Sequence, residues 1–101
     1  MTTLSNEVRS LIKEEKPLAM YGIRVEPEGM GLSLVKGELR HLNAVATSIY
    51  RLLDGKRTIE EIVQEMSEQY PDVDPDELFE DTFKCIREFQ RASMVCWKTA
   101  W

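Results

Sequence analysis

Eleven residues, Leu52-Leu53-Asp54-Gly55-Lys56-Arg57-Thr58-Ile59-Glu60-Glu61-Ile62, constrain this chain more than any other stretch, because they end one helix, turn, and start another. Asp54-Gly55 tolerates a positive φ, so a helix ending at Leu53 can stop in a left-handed cap without a Cβ penalty. Thr58 stands three residues before Glu61, the spacing at which hydroxyl and carboxylate exchange hydrogen bonds with each other's backbone, and predicts a helix from Ile59. Ile59, Ile62, Val63, Met66 and Tyr70 then fall on one stripe of a 3.6-residue period.

Before the joint, Leu4, Val8, Leu11 and Ile12 are spaced as one face of a helical arm that Pro17 must end; residues 1–16 form a unit that either covers the domain's own core or serves self-association, such as a homodimer, or the docking of a partner. Met20 to Glu26 alternates as a strand, with Tyr21, Ile23 and Val25 on one face, and Pro27-Glu28-Gly29 breaks it. Leu32–Val35 and Glu38–Leu42 flank Lys36-Gly37, which reads as a two-residue hairpin. Its register sets Leu34 opposite Leu39 and Leu32 opposite His41 on an apolar face, with Ser33 and Arg40 on the other. His41, the only histidine, is expected to be structural on a half-buried strand, and no metal site is expected because no second ligand lies near it.

Asn43 can cap a helix over Ala44 to Leu53, with Val45, Ala46, Ile49, Leu52 and Leu53 as its buried stripe. After the Tyr70-Pro71-Asp72-Val73-Asp74-Pro75 loop, Asp74 caps and Pro75 opens a helix reaching about Arg91. Leu78, Thr82, Cys85, Ile86 and Phe89 face one way there, and Phe79, Phe83 and Gln90 widen that arc to roughly 160°, more than one packing face needs. The expected fold is α+β: an N-terminal three-stranded antiparallel β-sheet followed by a three-helix bundle, winged-helix-like. Residues 17–95 make the domain, and residues 96–101 a tail carrying Trp97, with Trp101 the more easily left mobile.

Several functions are disfavoured. The net charge of −5 is concentrated in residues 54–81, which hold eleven acids against two bases, where a DNA reader would show a basic stripe. No apolar run approaches a spanning helix, and the N-terminus lacks the plan of a signal peptide, so a cytoplasmic location is expected. Cys85 and Cys96 therefore read as free thiols rather than a disulfide. No phosphate loop, Cys-His pair, nucleophile elbow or metal-ligand spacing occurs. Glu60, Glu61, Glu65 and Glu68 read as a solvated face, and neither an enzyme nor a cofactor is expected.

The order of strand, hairpin and three helices, the Leu42-Asn43 entry, the Asp54-Gly55-x-Arg57-Thr58-x-x-Glu61-Ile62 joint, the Tyr70-Pro71 loop and Asp81 together resemble the PqqD-like family of RiPP recognition elements over residues 17–95. Ser93 departs from it, standing where the family often has Gly. The resemblance implies a noncatalytic chaperone that takes the leader segment of a ribosomally made precursor peptide as an added antiparallel strand and presents it to a modifying enzyme, commonly a radical S-adenosylmethionine (SAM) protein. Carried to this chain, the strand is Glu38, Leu39, Arg40, His41 and Leu42, and the helix face offers Phe79, Phe83, Ile86, Arg87 and Gln90. Lys84, Arg87 and Arg91 make a basic flank, from which a leader with two or three apolar anchors and an acidic residue is expected. The alternatives are a winged-helix DNA-binding regulator and a homo-oligomeric assembly protein using the N-terminal arm.

Overall fold

The computed structural model describes residues 6–96; Leu4, Trp97 and Trp101, to which the sequence assigned roles, lie outside the described residues. Four helices, α1 (Asn6–Ile12), α2 (Ala44–Arg51), α3 (Ile59–Gln69) and α4 (Pro75–Arg91), accompany five strands, β1 (Leu18–Ala19), β2 (Arg24–Val25), β3 (Gly31–Val35), β4 (Glu38–Leu42) and β5 (Val95–Cys96). The strands form an antiparallel sheet in the order β2-β3-β4 and a two-stranded ribbon, β1-β5.

Local chemistry starts the helices where the sequence placed them. Thr58 and Glu61 form the reciprocal box: the Glu61 N–H donates to Thr58 Oγ1 at 3.1 Å and the Thr58 N–H to Glu61 Oε1 at 3.0 Å. The next donors are met from afar, Ile59 N–H by the Glu15 carbonyl and Glu60 N–H by that of Lys13. The chain just after α1 is thereby fastened to the start of α3, with Ile12 fully buried in the core. Asn43 caps α2 through the Ala46 N–H, and Asp74 caps α4 ahead of Pro75.

The joint differs in one respect from its expectation. α2 ends at Arg51, two residues early, in an ordinary right-handed cap at Leu52. The cause is tertiary: the Ala19 N–H takes the Leu53 carbonyl and Leu18 bridges Asp54, drawing the chain out of the helix. The positive φ of Gly55, +76°, belongs instead to the following turn, where Asp54 Oδ1 accepts from the Lys56 and Arg57 N–H groups. Those bonds hold the Asp54 carboxyl below its usual range.

The strands diverge further. Met20–Glu26 holds only the two residues of β2, and the β1-β5 ribbon was not foreseen, since two-residue strands leave no alternation to read. The hairpin has the expected register, Leu34 opposite Leu39 and Leu32 opposite His41, about a turn whose Lys36 and Gly37 both have positive φ (52° and 82°), as a type I′ turn requires. Its faces are the reverse of the obvious assignment. Gly31, Ser33, Val35 and Leu42 turn to the helices and are buried, while Leu34 and Leu39 are 63% and 55% exposed. The inner face needs small residues, because a Cβ on Gly31 would stand 2.5 Å from Ile23 Cδ1 and 2.6 Å from Thr47 Oγ1. Ser33 is accommodated there by donating to the Gly22 carbonyl at 2.8 Å.

The core lies among α2, α3 and α4 under this sheet. Tyr50 ties its layers together: its ring meets Phe89 edge-on at 5.1 Å, and its hydroxyl accepts from the Tyr21 N–H and lies 3.1 Å from the carbonyls of Tyr21 and Met94. α4 closes with the Ser93 N–H on Gln90 and the Met94 N–H on Phe89, the paired bonds of a Schellman cap. Ser93 itself takes the left-handed φ of +62° that glycine ordinarily supplies there.

Candidate functional site

β4 is an edge strand, and the hairpin geometry says which of its backbone groups are free. A two-residue turn makes Val35 and Glu38 a hydrogen-bonded pair, and the alternation of an antiparallel ladder repeats this at Ser33–Arg40 and Gly31–Leu42. The N–H and C=O of Leu39 and His41 consequently point outward, away from β3. Side chains alternate the other way: Glu38, Arg40 and Leu42 share the inner face of the sheet with buried Ser33 and Val35, whereas Leu39 and His41 share the outer one.

The chain just before and just after β4 meets α4 in reverse order. At one end, Lys36 Nζ of the hairpin turn donates to Ser93 Oγ just past α4, at 3.2 Å. At the other, Asn43, immediately after β4, shares an open pocket of about 280 Å³ with Asp81 and Cys85 of α4. Val45, Ala46 and Ile49 of α2 form one wall, Leu78, Thr82 and Cys85 of α4 another, and Tyr70 and Val73 close the end. Val45 is 44% exposed in this apolar surface, and the Asp81 carboxylate stands exposed at its rim.

Two side chains in the α4 wall are chemically unusual. Thr82 is fully buried, and its Oγ1 has no hydrogen-bond partner among the described residues. Burial, with the charge of Glu88 adding to it, pushes the Cys85 thiol up to about 11, so it stays protonated and is a poor nucleophile at neutral pH. Both cysteines are free thiols.

The residues chosen from the sequence divide sharply. Glu38 to Leu42 form the edge strand, but Phe79, Phe83 and Ile86 belong to the closed core and line no part of this pocket. Arg9 of α1 lies 4.5 Å over the Phe79 ring and pairs with Asp76 at 2.7 Å, so the arm covers that end of α4. Arg87 lies 5.9 Å over the Phe83 ring; both are two residues from Cys85, hence roughly 160° from it around the helix. Gln90 is half-buried, beyond Phe83 in the same direction. The basic flank does not border the pocket; Asp81 and Glu88, four and three residues from Cys85, lie on its side. Sequence reasoning missed Val45, Ala46, Thr82 and Cys85 as pocket walls. Thr82 and Cys85 did stand in its buried stripe, and the signal left unused was a stripe of small or polar residues inside an apolar helix face.

The chain is a small α+β domain with a free sheet edge at β4 and an apolar pocket between α2 and α4. A family model described as "Coenzyme PQQ synthesis protein D (PqqD)" matches residues 24–95, well over half of the chain, and the chain belongs to that family. Membership suggests an accessory protein that binds peptide and partners a precursor and its modifying enzyme. No curated protein and no solved structure matches the chain. Among the described residues, no helix is long and apolar enough to cross a membrane.

Proposed function

We propose that this protein is a noncatalytic chaperone that captures the leader segment of a ribosomally synthesised precursor peptide as an added strand on β4 and presents it to a modifying enzyme of the radical SAM type. The hairpin stacked on helices α2 to α4 is read as a winged-helix-like frame for that task. The supporting observation is the outward N–H and C=O of Leu39 and His41 on an edge strand that leads, at Asn43, into the α2–α4 pocket. An extended peptide gains main-chain hydrogen bonds on such an edge while alternate side chains enter pockets.

The magnitudes explain why both parts are required. Ordering a disordered segment costs about 2–5 kcal/mol or more. One buried apolar anchor returns about 1.5–3 kcal/mol. Main-chain hydrogen bonds add about 0.5–1.5 kcal/mol net each, which carries the sum to useful affinity. Asp81, the acidic residue that lines the pocket, replaces the expectation of an acidic leader with one of a neutral or basic leader at this point.

The test is titration calorimetry of the precursor peptide encoded beside this chain's gene. Leu39→Pro removes one outward N–H without touching the ladder to β3, and proline is tolerated on such edges. Affinity should fall about tenfold with circular dichroism unchanged. Unaltered affinity would remove β4 as the docking edge.

A further inference from the structure

Glu38, Leu39, Arg40 and His41 of β4 are all exposed, and neither a bulge nor a proline interrupts this edge. Such an edge is a template for another strand unless its side chains refuse one. Its inner-face charges, Glu38 and Arg40, have opposite signs two residues apart, the carboxylate 3.5 Å from the guanidinium. An antiparallel strand that carries the same two charges satisfies both. A second copy of β4 is such a strand.

The backbone limits how two copies can meet. Only the N–H and C=O of Leu39 and His41 point outward along β4, so antiparallel copies exchange hydrogen bonds only when odd-numbered residues stand opposite odd-numbered ones. A twofold axis at Arg40 would set the two guanidiniums directly opposite, and one at His41 would leave Glu38 and Arg40 without charged partners. An axis at Leu39 sets Glu38 of each copy opposite Arg40 of the other. The same register extends the Leu34–Leu39 pair on the outer face into a row of leucines running across both copies. These side chains, the most exposed of the hairpin's apolar residues, thereby gain a neighbour. We propose that β4 pairs antiparallel with the β4 of a second copy, in register about Leu39, as a symmetric dimer. The contact is small, so the dimer exchanges readily. If the leader adds to β4 as read above, it and the second copy claim the same outward groups, and the leader opens the dimer.

The test is sedimentation velocity of the full chain at low salt, from about 10 μM to about 1 mM. The natural chain should pass from monomer towards dimer over that range. Glu38→Arg or Arg40→Glu alone sets like charges opposite each other and should weaken association about tenfold. An equimolar mixture of the two variants, in which every facing pair is again opposite in sign, should recover it. In nitrogen–proton correlation spectra of the natural chain, the amides of Leu39 and His41 should shift with concentration. A chain that stays monomeric at about 1 mM, a dimer that either single reversal leaves intact, a mixture no better than its components, or shifts confined to α1 would each overturn the proposal. Should a variant fail to fold, the concentration-dependent spectra of the natural chain decide. The precursor peptide separates this inference from the reading before it. If the dimer follows the charge reversals and the peptide leaves it intact, strand addition on β4 falls and self-pairing stands; if Leu39→Pro weakens peptide binding while the natural chain stays monomeric, the reverse holds.

Discussion

The two flanks of α4 carry side chains of different size and have different fates. On one, Phe79 and Phe83 are buried, with Arg9 of α1 over the first ring and Arg87 over the second. On the other, buried Thr82 and half-buried Cys85 belong to the wall of a pocket floored by the first turns of α2. The larger side chains mark the closed flank and the smaller ones the open flank. This is the general rule that a large buried aromatic fills space its own fold has already enclosed, whereas small residues leave room for something else.

The largest expected difference tests closure directly. Phe83→Ala should cost about 3–5 kcal/mol in urea unfolding, as for other buried aromatics. Val45→Ser, on the open flank, should stay within about 0.5 kcal/mol of the natural chain. Similar losses at the two positions would break the distinction. Next in size, Arg9→Ala uncovers Phe79 and should lower stability by about 1 kcal/mol in thermal melts. Asp76→Ala should cost less, because that carboxylate is 71% exposed and the cation remains over the ring.

The smallest effect at neutral pH concerns Cys85. Its folded pKa is raised from 9.0 to about 11, so the folded state holds the thiol proton more tightly than the unfolded chain. That contribution is fully present below pH 9 and lost as pH rises through about 11. Tyr50, raised by burial above 10.0, acts in the same direction. Alkaline melting of Cys85→Ala should therefore show a shallower fall than the natural chain, with the Tyr50 share remaining; identical slopes would mean that Cys85 is not buried against the pocket wall.

What could be read without the fold was whatever neighbours in sequence settle between themselves. The Thr58–Glu61 box, the Asn43 and Asp74 caps and the hairpin register all depend on contacts within a few residues. Even so, the surroundings moved details: the Leu18–Asp54 bridge shortened α2, and Ser93 adopted the left-handed cap although it is not glycine. β1 and β5 pair across most of the chain and left no local pattern.

The sequence by itself therefore determined which segments are helices, where they start, how the hairpin pairs, and which family the chain joins. Only the tertiary structure decided which way two amphipathic elements turn. In the hairpin, Gly31 and Ser33 face inward because the backbone must pass close to Ile23 and Thr47, and the leucines that alternation favoured go outward. In α4, Arg9 of α1 lies over Phe79 on one flank, whereas Thr82 and Cys85 on the other line the α2–α4 pocket. A periodic pattern records that a face is apolar; what covers it depends on partners distant in sequence, whose positions no local interaction encodes.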